Sequence, residues 1–161
     1  MAPDALIRRA TAEDLDACLA LFDVLSGLQA PMWRFEVWPD ARERVADRYR
    51  RLAHEPEAIH LVAQAGPEVV GMGVGEVVRA SRVSDERAVE VSNVVVLASH
   101  RRLGIARALV DGLAAFARDR GVPWLTLRTF AANDPALRFW EGLGFAPRVV
   151  QLVAPAADIA P

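Results

Sequence analysis

The residues with the clearest potential for chemistry lie where a β-branched run, Val94–Val96, leads through a short loop into an apolar helical pattern that begins near Gly104. The first N–H groups of a helix have no partner within it, and the helix dipole adds positive charge there, so such an end binds anions. Gly104 has no Cβ to obstruct a ligand, and the small Ala106 keeps the first turn accessible. Arg101 and Arg102 add charge suited to phosphate. These residues predict a pyrophosphate site; the alternative is an ordinary strand–loop–helix connection with solvated arginines.

Two motifs resemble those of a known family. Arg101-x-x-Gly104-x-Ala106 matches the Arg/Gln-x-x-Gly-x-Gly/Ala motif with which the GNAT superfamily of N-acetyltransferases binds acetyl-CoA, and Val96 stands where the family keeps a valine. Further along the chain, Asn133–Phe145 resembles the second motif of the family. Because the predicted order of strands and helices also agrees, the resemblance covers nearly the whole chain.

The resemblance implies a co-substrate and a set of binding residues. Acetyl-CoA would be the co-substrate, with its pyrophosphate held by Arg101, Arg102, Leu103, Gly104, Ile105 and Ala106. The pantetheine arm would pair, as another strand would, with the backbone of Val94, Val95 and Val96. One amide of that stretch would polarise the thioester carbonyl, which is often the largest contribution to catalysis of acyl transfer. Further contacts to the cofactor arm would come from Asn133 and Trp140.

Trp140 is a departure from the family pattern. Many members of the family have a tyrosine at this position, suited to protonating the leaving thiolate. An indole N–H donates a hydrogen bond but has no usable acid chemistry. We therefore assign no general acid: either the thiolate leaves without one, or another group supplies the proton. The departure also leaves open a second class of protein, a non-catalytic acyl-CoA-binding regulatory module on the same fold.

A general base is needed because an alkylammonium acceptor, with a pKa near 10.4, must lose a proton before it attacks. Glu90 lies on the predicted central strand and, by the two-residue period of a strand, shares a face with Val94 and Val96. Glu36 is the other candidate, and Glu76 is a weaker third. We expect Glu90 or Glu36 to relay the proton, through water where needed. For each carboxylate the alternative is a solvated or ion-paired side chain.

An aromatic segment, residues 31–39, places Trp33, Phe35 and Trp38 between two prolines. Loops held by a rigid scaffold often carry binding residues, so one prediction is that these rings form a wall of the acceptor pocket. The other is that they pack against the first two helices, and the sequence does not choose between the two. The predicted acceptor is the primary amine of a small molecule or a peptide.

The elements that position these residues follow the order β-α-α-β-β-β-α-β-α-β. Turn residues and hydrophobic periodicity predict strands at 5–9, 59–65, 68–79, 88–97, 124–129 and 145–153, with helices at 12–27, 40–54, 104–120 and from 134 to 142 or 144. A meander followed by a crossover helix predicts an α/β fold with a mixed, mostly antiparallel central sheet flanked by helices. On the third of these strands, alternating Gly71, Gly73 and Gly75 clear one face for a bulky neighbour or a ligand.

Composition limits the remaining possibilities. The 161 residues suit a single domain, predicted at 1–155 with a frayed tail at 156–161, and the net charge of −2 argues against a nucleic-acid partner. The single cysteine, Cys18, excludes an internal disulfide and fits an apolar core position.

His54, His60 and His100 lack the spacing of metal ligands, so no metal is expected. No apolar run is judged long enough to cross a bilayer and no secretion signal is recognised, so we expect a cytoplasmic location, no membrane partner and a possible homodimer.

Overall fold

The computed structural model describes residues 5–32, 38–80 and 85–158. The chain divides into two compact units, Met1–Arg128 and Thr129–Pro161. The first unit contains the sheet and the predicted pyrophosphate loop, and the second contains Asn133 and Trp140. The assignment of residues 1–155 to one domain stays a prediction.

The first unit is built on a five-stranded sheet whose spatial order follows the chain. Its strands are β1 (Leu6–Arg9), β2 (Ala58–Ala65), β3 (Glu68–Arg79), β4 (Arg87–Val96) and β5 (Trp124–Leu127). Neighbouring strands from β1 to β4 are antiparallel, whereas β4 and β5 are parallel. A parallel step requires a crossover connection, which a helix makes here. The mixed, mostly antiparallel sheet expected from the sequence is confirmed.

The longer helices are α1 (Leu15–Gln29), α2 (Ala41–Leu52), α3 (Ile105–Asp119) and, in the second unit, α4 (Asp134–Gly142). Their order among the strands agrees with the prediction as far as α4. A short 3₁₀ turn, Ala12–Asp14, precedes α1, and there the Asp14 carboxylate accepts from the Thr11 N–H at 2.7 Å. The carboxylate three residues after the hydroxyl residue thus satisfies a donor at the start of the helix.

The sheet is covered on both faces. Leu21 of α1, Tyr49 of α2 and Met72 of β3 belong to one buried cluster, so α1 and α2 lie on the same face. A Cβ on the next β3 residue, Gly73, would stand 3.5 Å from Leu113 of α3. Since successive residues of a strand point to opposite faces, α3 covers the other side.

The alternating glycines of β3 lie under α3. A Cβ on Gly75 would stand 2.9 Å from Val89 Cγ1 and 3.2 Å from Leu113 Cδ2, closer than side chains normally approach. Gly71 and Gly73 likewise face Leu109 of α3. The face that the sequence predicted to be clear therefore accommodates a helix rather than a ligand.

A β-bulge interrupts the pairing of β3 with β4. The residue-to-residue pairing holds as far as Ser92 and resumes at Val95. Between them, Asn93 and Val94 together face the single residue Gly73, which is the two-against-one pattern of a bulge. Asn93 has a φ of 52°, in the left-handed region that Asn tolerates better than most residues.

The bulge overturns the expectation that Glu90 shares a face with Val94 and Val96. Glu90 lies directly opposite Glu76, which is ion-paired with Arg48 of α2, so both carboxylates lie on the face covered by α1 and α2. The Cγ2 atoms of Val94 and Val96 lie beside the β3 glycines that face α3. The prediction was wrong because one extra residue shifts the alternation of every later side chain.

The prediction of a strand at 145–153 is also wrong. No described residue of this segment belongs to a strand or pairs with one. The segment contains Pro147, which has no N–H for a ladder, and its apolar side chains are exposed: Val149, Val150, Leu152 and Val153. Alternating β-branched residues satisfy the sequence criterion for a strand, but a strand also needs an edge to pair with.

One segment, Ala12–Met32, is long and apolar enough to cross a membrane by length and composition alone. On that criterion the expectation that no stretch reaches this length is wrong. Within the segment, Cys18, Leu19 and Leu21 are buried in the cluster shared with α2 and the sheet. The core helix of a globular domain also has these properties.

Candidate functional site

The predicted pyrophosphate loop joins β4 to α3 through a backbone with two left-handed residues, Arg102 (φ 66°) and Gly104 (φ 80°). Gly104 precedes the first turn of α3 and supplies no side-chain cap. The first bond of the helix runs from the Ala108 N–H to the Gly104 carbonyl at 3.0 Å, so the N–H groups of 105–107 point out of the helix end. A Cβ on Gly104 would meet nothing within 4 Å. This end of α3 is therefore open, and its unpaired N–H groups are of the kind that suit an anion.

Arg101 ties this loop to the end of the strand. Its Nε donates to the Val96 carbonyl at 3.0 Å, which uses only one of the guanidinium donors. Arg101 can therefore hold the loop and still contact an anion. Arg102 and Leu103 are exposed beside it. The structure thus brings together the loop residues that the sequence predicted, from Arg101 to Ala106.

The far half of β4 has an open side. β5 pairs only with Ala88–Val91, so from Ser92 to Val96 no described strand adjoins β4 on the side away from β3. The bulge at Asn93 lies in this same half and leaves a peptide group outside the ladder with β3. An extended ligand could pair with Val94, Val95 and Val96 here, as the resemblance implies.

Asn133 and Trp140 fix the two ends of α4. Asn133 caps the start, where its Oδ1 accepts from the Ala136 N–H at 3.3 Å. At the other end the Trp140 carbonyl accepts from the Phe145 N–H at 3.0 Å, and the two rings pack edge to face with centroids 5.2 Å apart. With Gly144 at a φ of 92°, this is a Schellman motif with its usual hydrophobic contact. Contact of Asn133 and Trp140 with a cofactor stays a prediction.

The two described carboxylates proposed as bases differ in their partners. Glu76 is bound to Arg48, and Glu90 Oε1 lies 2.9 Å from Nη2 of Arg128. The Arg128 side chain is 86% exposed, so its pair with Glu90 is screened by solvent and weak. Glu90 is therefore the more available base. It shares a face with Ser92, whose Cα lies two residues and therefore about 7 Å further along the strand, next to the bulge.

The aromatic segment is described only at its end. Trp33, Phe35 and Glu36 lie outside the described residues. Trp38 is 66% exposed, and the guanidinium carbon of Arg44 lies 4.5 Å from the centre of its ring. Such a contact is a cation–π interaction on the surface. Trp38 is therefore not packed into the core, and its role in an acceptor pocket stays a prediction.

Sequence reasoning missed the contribution of α2. The Asn93 Nδ2 donates to the Tyr49 Oη at 2.8 Å, and Arg48 Nη2 donates to the Ser92 Oγ at 3.1 Å. Tyr49 is 4% exposed, and burial raises the pKa of its phenol above the usual range, so it stays neutral. The sequence feature that could have indicated these contacts is the pair of polar residues Ser92-Asn93 inside an otherwise apolar strand.

Neither Cys18 nor any group of potential metal ligands adds a further site among the described residues. Burial raises the pKa of the Cys18 thiol to about 12, so it remains protonated, and its place in the core agrees with the prediction. Within residues 5–32, 38–80 and 85–158, no group of three or more His, Cys, Asp or Glu side chains is placed to hold a metal ion.

Comparison with known proteins identifies the class. The model of the acetyltransferase (GNAT) family matches residues 22–145. Acetyl transferase GW6a of Oryza sativa subsp. japonica is 35% identical over 116 residues, covering 65% of this chain and 28% of that protein. N-acetyltransferase 8 of Homo sapiens is 29% identical over 127 residues, covering 79% of this chain and 56% of that protein. The chain thus spans well under two thirds of the length of these relatives.

A solved structure confirms the architecture. A predicted acetyltransferase from Clostridium acetobutylicum, determined with acetyl-CoA, superposes with a TM-score of 0.76 at 13% identity, covering 96% of this chain and 98% of that one. At this identity the likeness establishes the fold alone. The match of the family model over most of the chain establishes more: the protein belongs to the GNAT family of acetyltransferases.

Proposed function

We propose that this chain transfers an acetyl group from acetyl-CoA to the primary amine of a small molecule or a peptide. The observation that carries the proposal is the open end of α3, reached through left-handed Arg102 and Gly104 directly after β4. Two further facts support it: a human relative is named N-acetyltransferase 8, and a structure of the same fold was determined with acetyl-CoA.

The chain offers a matched set of groups for the co-substrate. The N–H groups of 105–107 and the guanidinium groups of Arg101 and Arg102 would hold the pyrophosphate. The space around Gly104 is open, since a Cβ there would meet nothing within 4 Å. The pantetheine arm would lie along the unpaired side of Val94–Val96, with amide hydrogen bonds like those of an added strand.

The chemistry then needs two groups of the protein. The amine nitrogen attacks the thioester carbonyl carbon, and negative charge develops on the carbonyl oxygen. An N–H of the bulge at Asn93–Val94, left out of the ladder, would stabilise that charge. Glu90 would take one proton from the ammonium through water before the attack and pass it to solvent. After the attack the carbonyl re-forms as the carbon–sulfur bond breaks, and the second proton of the nitrogen goes to the departing thiolate of CoA.

The first test is calorimetric titration with acetyl-CoA of the wild type and of Gly104→Glu. Gly121→Glu is the matched control, because Gly121 also has a left-handed φ (62°) and open space at its Cβ, but follows the other end of α3. We expect the wild type and the control to bind, and Gly104→Glu to lose at least about 10-fold in affinity through steric and charge exclusion. Equal binding by the two variants would show that the loop does not hold the co-substrate.

The second test is a screen of amines for release of free thiol from acetyl-CoA. Turnover with any primary amine, lost in Gly104→Glu, would support the proposed reaction. Tight binding of acetyl-CoA without turnover across small amines and peptide N-termini would instead favour the regulatory module. A wild type that binds no acetyl-CoA would overturn the proposed function altogether.

A further inference from the structure

Two consecutive residues of α2 bind two consecutive residues of β4. Arg48 Nη2 donates to the Ser92 Oγ at 3.1 Å, and the next residue, Tyr49, accepts from the Asn93 Nδ2 at 2.8 Å. Ser92 is the last regularly paired residue before the bulge, and Asn93 is the first residue within it. The helix is therefore fastened to the strand at the point where the ladder is interrupted.

Asn93 needs such a fastening because its conformation is unusual. A φ of 52° is uncommon for any residue with a Cβ and persists only where the surroundings determine it. Tyr49, the partner of its amide, is itself fixed: its Oη lies 3.8 Å from the Met72 Sδ, and its ring centroid lies 4.5 Å from that of His60. Burial lowers the pKa of His60 to about 4, so this neighbour is uncharged at neutral pH.

These hydrogen bonds from α2 lie beside the peptide groups whose N–H would have to point at the acyl carbonyl in the proposed reaction. The far half of β4 has no described strand beside it, so nothing in the sheet fixes the peptide planes of Asn93 and Val94 from that side. On the other side only Gly73 faces the two residues. The hydrogen bond from the Asn93 side chain to Tyr49 is therefore a constraint on the local peptide orientation that the sheet does not supply.

We propose that Tyr49, acting through Asn93, is a positioning residue that directs the bulge N–H at the thioester carbonyl of acetyl-CoA. This inference rests on the proposed function. Without the Tyr49 hydroxyl, the Asn93 amide loses its anchor, and the peptide groups of the bulge can rotate away from the acyl carbonyl. Such a change would weaken stabilisation of the developing oxyanion and leave pyrophosphate binding at α3 intact.

The test compares Tyr49→Phe and Asn93→Gly with the control Val45→Ala. Tyr49→Phe keeps the buried ring and removes the hydroxyl. Asn93→Gly keeps the left-handed backbone without strain and removes the amide. Val45, on the same helix, packs against the same core cluster without bonding to β4, so its variant reports general loosening of α2.

The primary readout needs no acceptor. Infrared spectra of bound acetyl-CoA, labelled with ¹³C at the thioester carbonyl, report hydrogen bonding because a donor lowers the carbonyl stretching frequency. We expect a downshift in the wild type and in Val45→Ala, and its loss in Tyr49→Phe and Asn93→Gly. The affinity for acetyl-CoA should differ from that of the wild type by less than about 2-fold in each of the three variants. With an acceptor from the amine screen, kcat should fall roughly 10-fold at unchanged KM for acetyl-CoA in the two bulge variants.

The double variant Tyr49→Phe/Asn93→Gly should lose no more than either single variant, because both remove the same interaction. An identical carbonyl band and kcat in Tyr49→Phe and Val45→Ala, with acetyl-CoA still bound, would overturn the positioning role alone. Failure of the wild type to bind acetyl-CoA would overturn the proposed function and this inference together.

Discussion

Arg8 and Asp14 form a two-point ion pair that joins β1 to the start of α1: Nη1 lies 2.7 Å from Oδ2, and Nη2 lies 2.8 Å from Oδ1. The Asp14 side chain is 8% exposed and also accepts from the Thr11 N–H. The hydrogen bonds from Arg8, and then those from Thr11, hold the pKa of the Asp14 carboxyl well below its usual range, although burial opposes them. The carboxylate therefore belongs to the stability of the fold rather than to the candidate site.

Asp14→Asn should lower the free energy of unfolding by roughly 2 kcal/mol, because it leaves a charged donor of Arg8 without its partner. The folded-state pKa of Asp14 is lower than the unfolded value of 3.8, so this stabilisation is present above pH 3.8 and is lost as the pH falls below it. Urea unfolding at neutral and acid pH measures both effects. A variant as stable as the wild type at neutral pH would contradict the prediction.

His60 should make the protein less stable in mild acid. The side chain is 6% exposed and its Nε2 has no hydrogen-bond partner among the described residues. Burial, helped by nearby Arg48, lowers its pKa from 6.5 to about 4 in the folded state. The unfolded chain therefore binds a proton first, and stability falls as the pH drops from 6.5 towards 4, by up to about 3 kcal/mol.

His60→Phe isolates that effect, since it keeps a ring against Tyr49 and removes the titrating group. The variant should show a flatter dependence of unfolding free energy on pH between 6.5 and 4. The Asp14 effect at lower pH should remain. An unchanged slope across this range would show that His60 does not titrate as its burial predicts.

The glycines under α3 give a packing prediction. A methyl group at Gly75 would stand within 3.2 Å of Ile59, Val89 and Leu113, so Gly75→Ala should destabilise the fold by roughly 1–3 kcal/mol through overpacking. Gly27→Ala is the control, because Gly27 lies within α1 with nothing within 4 Å of a new Cβ. That control should stabilise by about 0.5–1 kcal/mol through helix propensity. Thermal unfolding of both variants tests the prediction. If Gly75→Ala were as stable as the wild type, α3 would have to move away from the added methyl group.

Glu90 gives the kinetic prediction. Glu90→Gln should lower kcat/KM for the amine acceptor roughly 100-fold at neutral pH, since an ammonium group then has no relay for its proton. The loss should shrink as the pH approaches the amine's own pKa near 10.4, where the acceptor is already deprotonated. Glu68→Gln, an exposed carboxylate at the start of β3, should have no such effect. A Glu90→Gln profile parallel to that of the wild type would exclude Glu90 as the base.

The sequence predicted most of what depends on local pattern. Strands β1 to β5 and helices α1 to α4 begin and end within a few residues of their predicted positions, because caps, turns and periodicity act over short distances. The position of the loop from Arg101 to Ala106 at the start of α3 was also predictable, because it depends on adjacent residues. Its binding of a pyrophosphate stays a prediction. The strand at 145–153 was not, because pairing depends on an edge elsewhere in the chain.

Two parts of the candidate site could not be predicted because they too depend on contacts with distant parts of the chain. The bulge at Asn93 is decided by the register with Gly73 on another strand, and a period-two count along β4 alone cannot detect it. The anchors of that bulge, Arg48 and Tyr49, come from a helix distant in sequence. For Trp140, the sequence indicated only that it replaces a tyrosine common in the family. Its contacts with Phe145 at the end of α4 became visible only in the structure.

The bulge has a consequence for the ancestry of the strand. If Asn93 were deleted, Val94 would pair with Gly73, and every other side chain of β4 would keep the face it occupies now. A gene lacking that one codon would therefore encode a regular strand with the same two hydrophobic surfaces. The alternation of the two faces therefore does not depend on Asn93, whose amide instead serves the buried Tyr49 hydroxyl and, in our proposal, the acyl carbonyl. A single in-frame insertion into an older, uninterrupted strand would have been sufficient to introduce it.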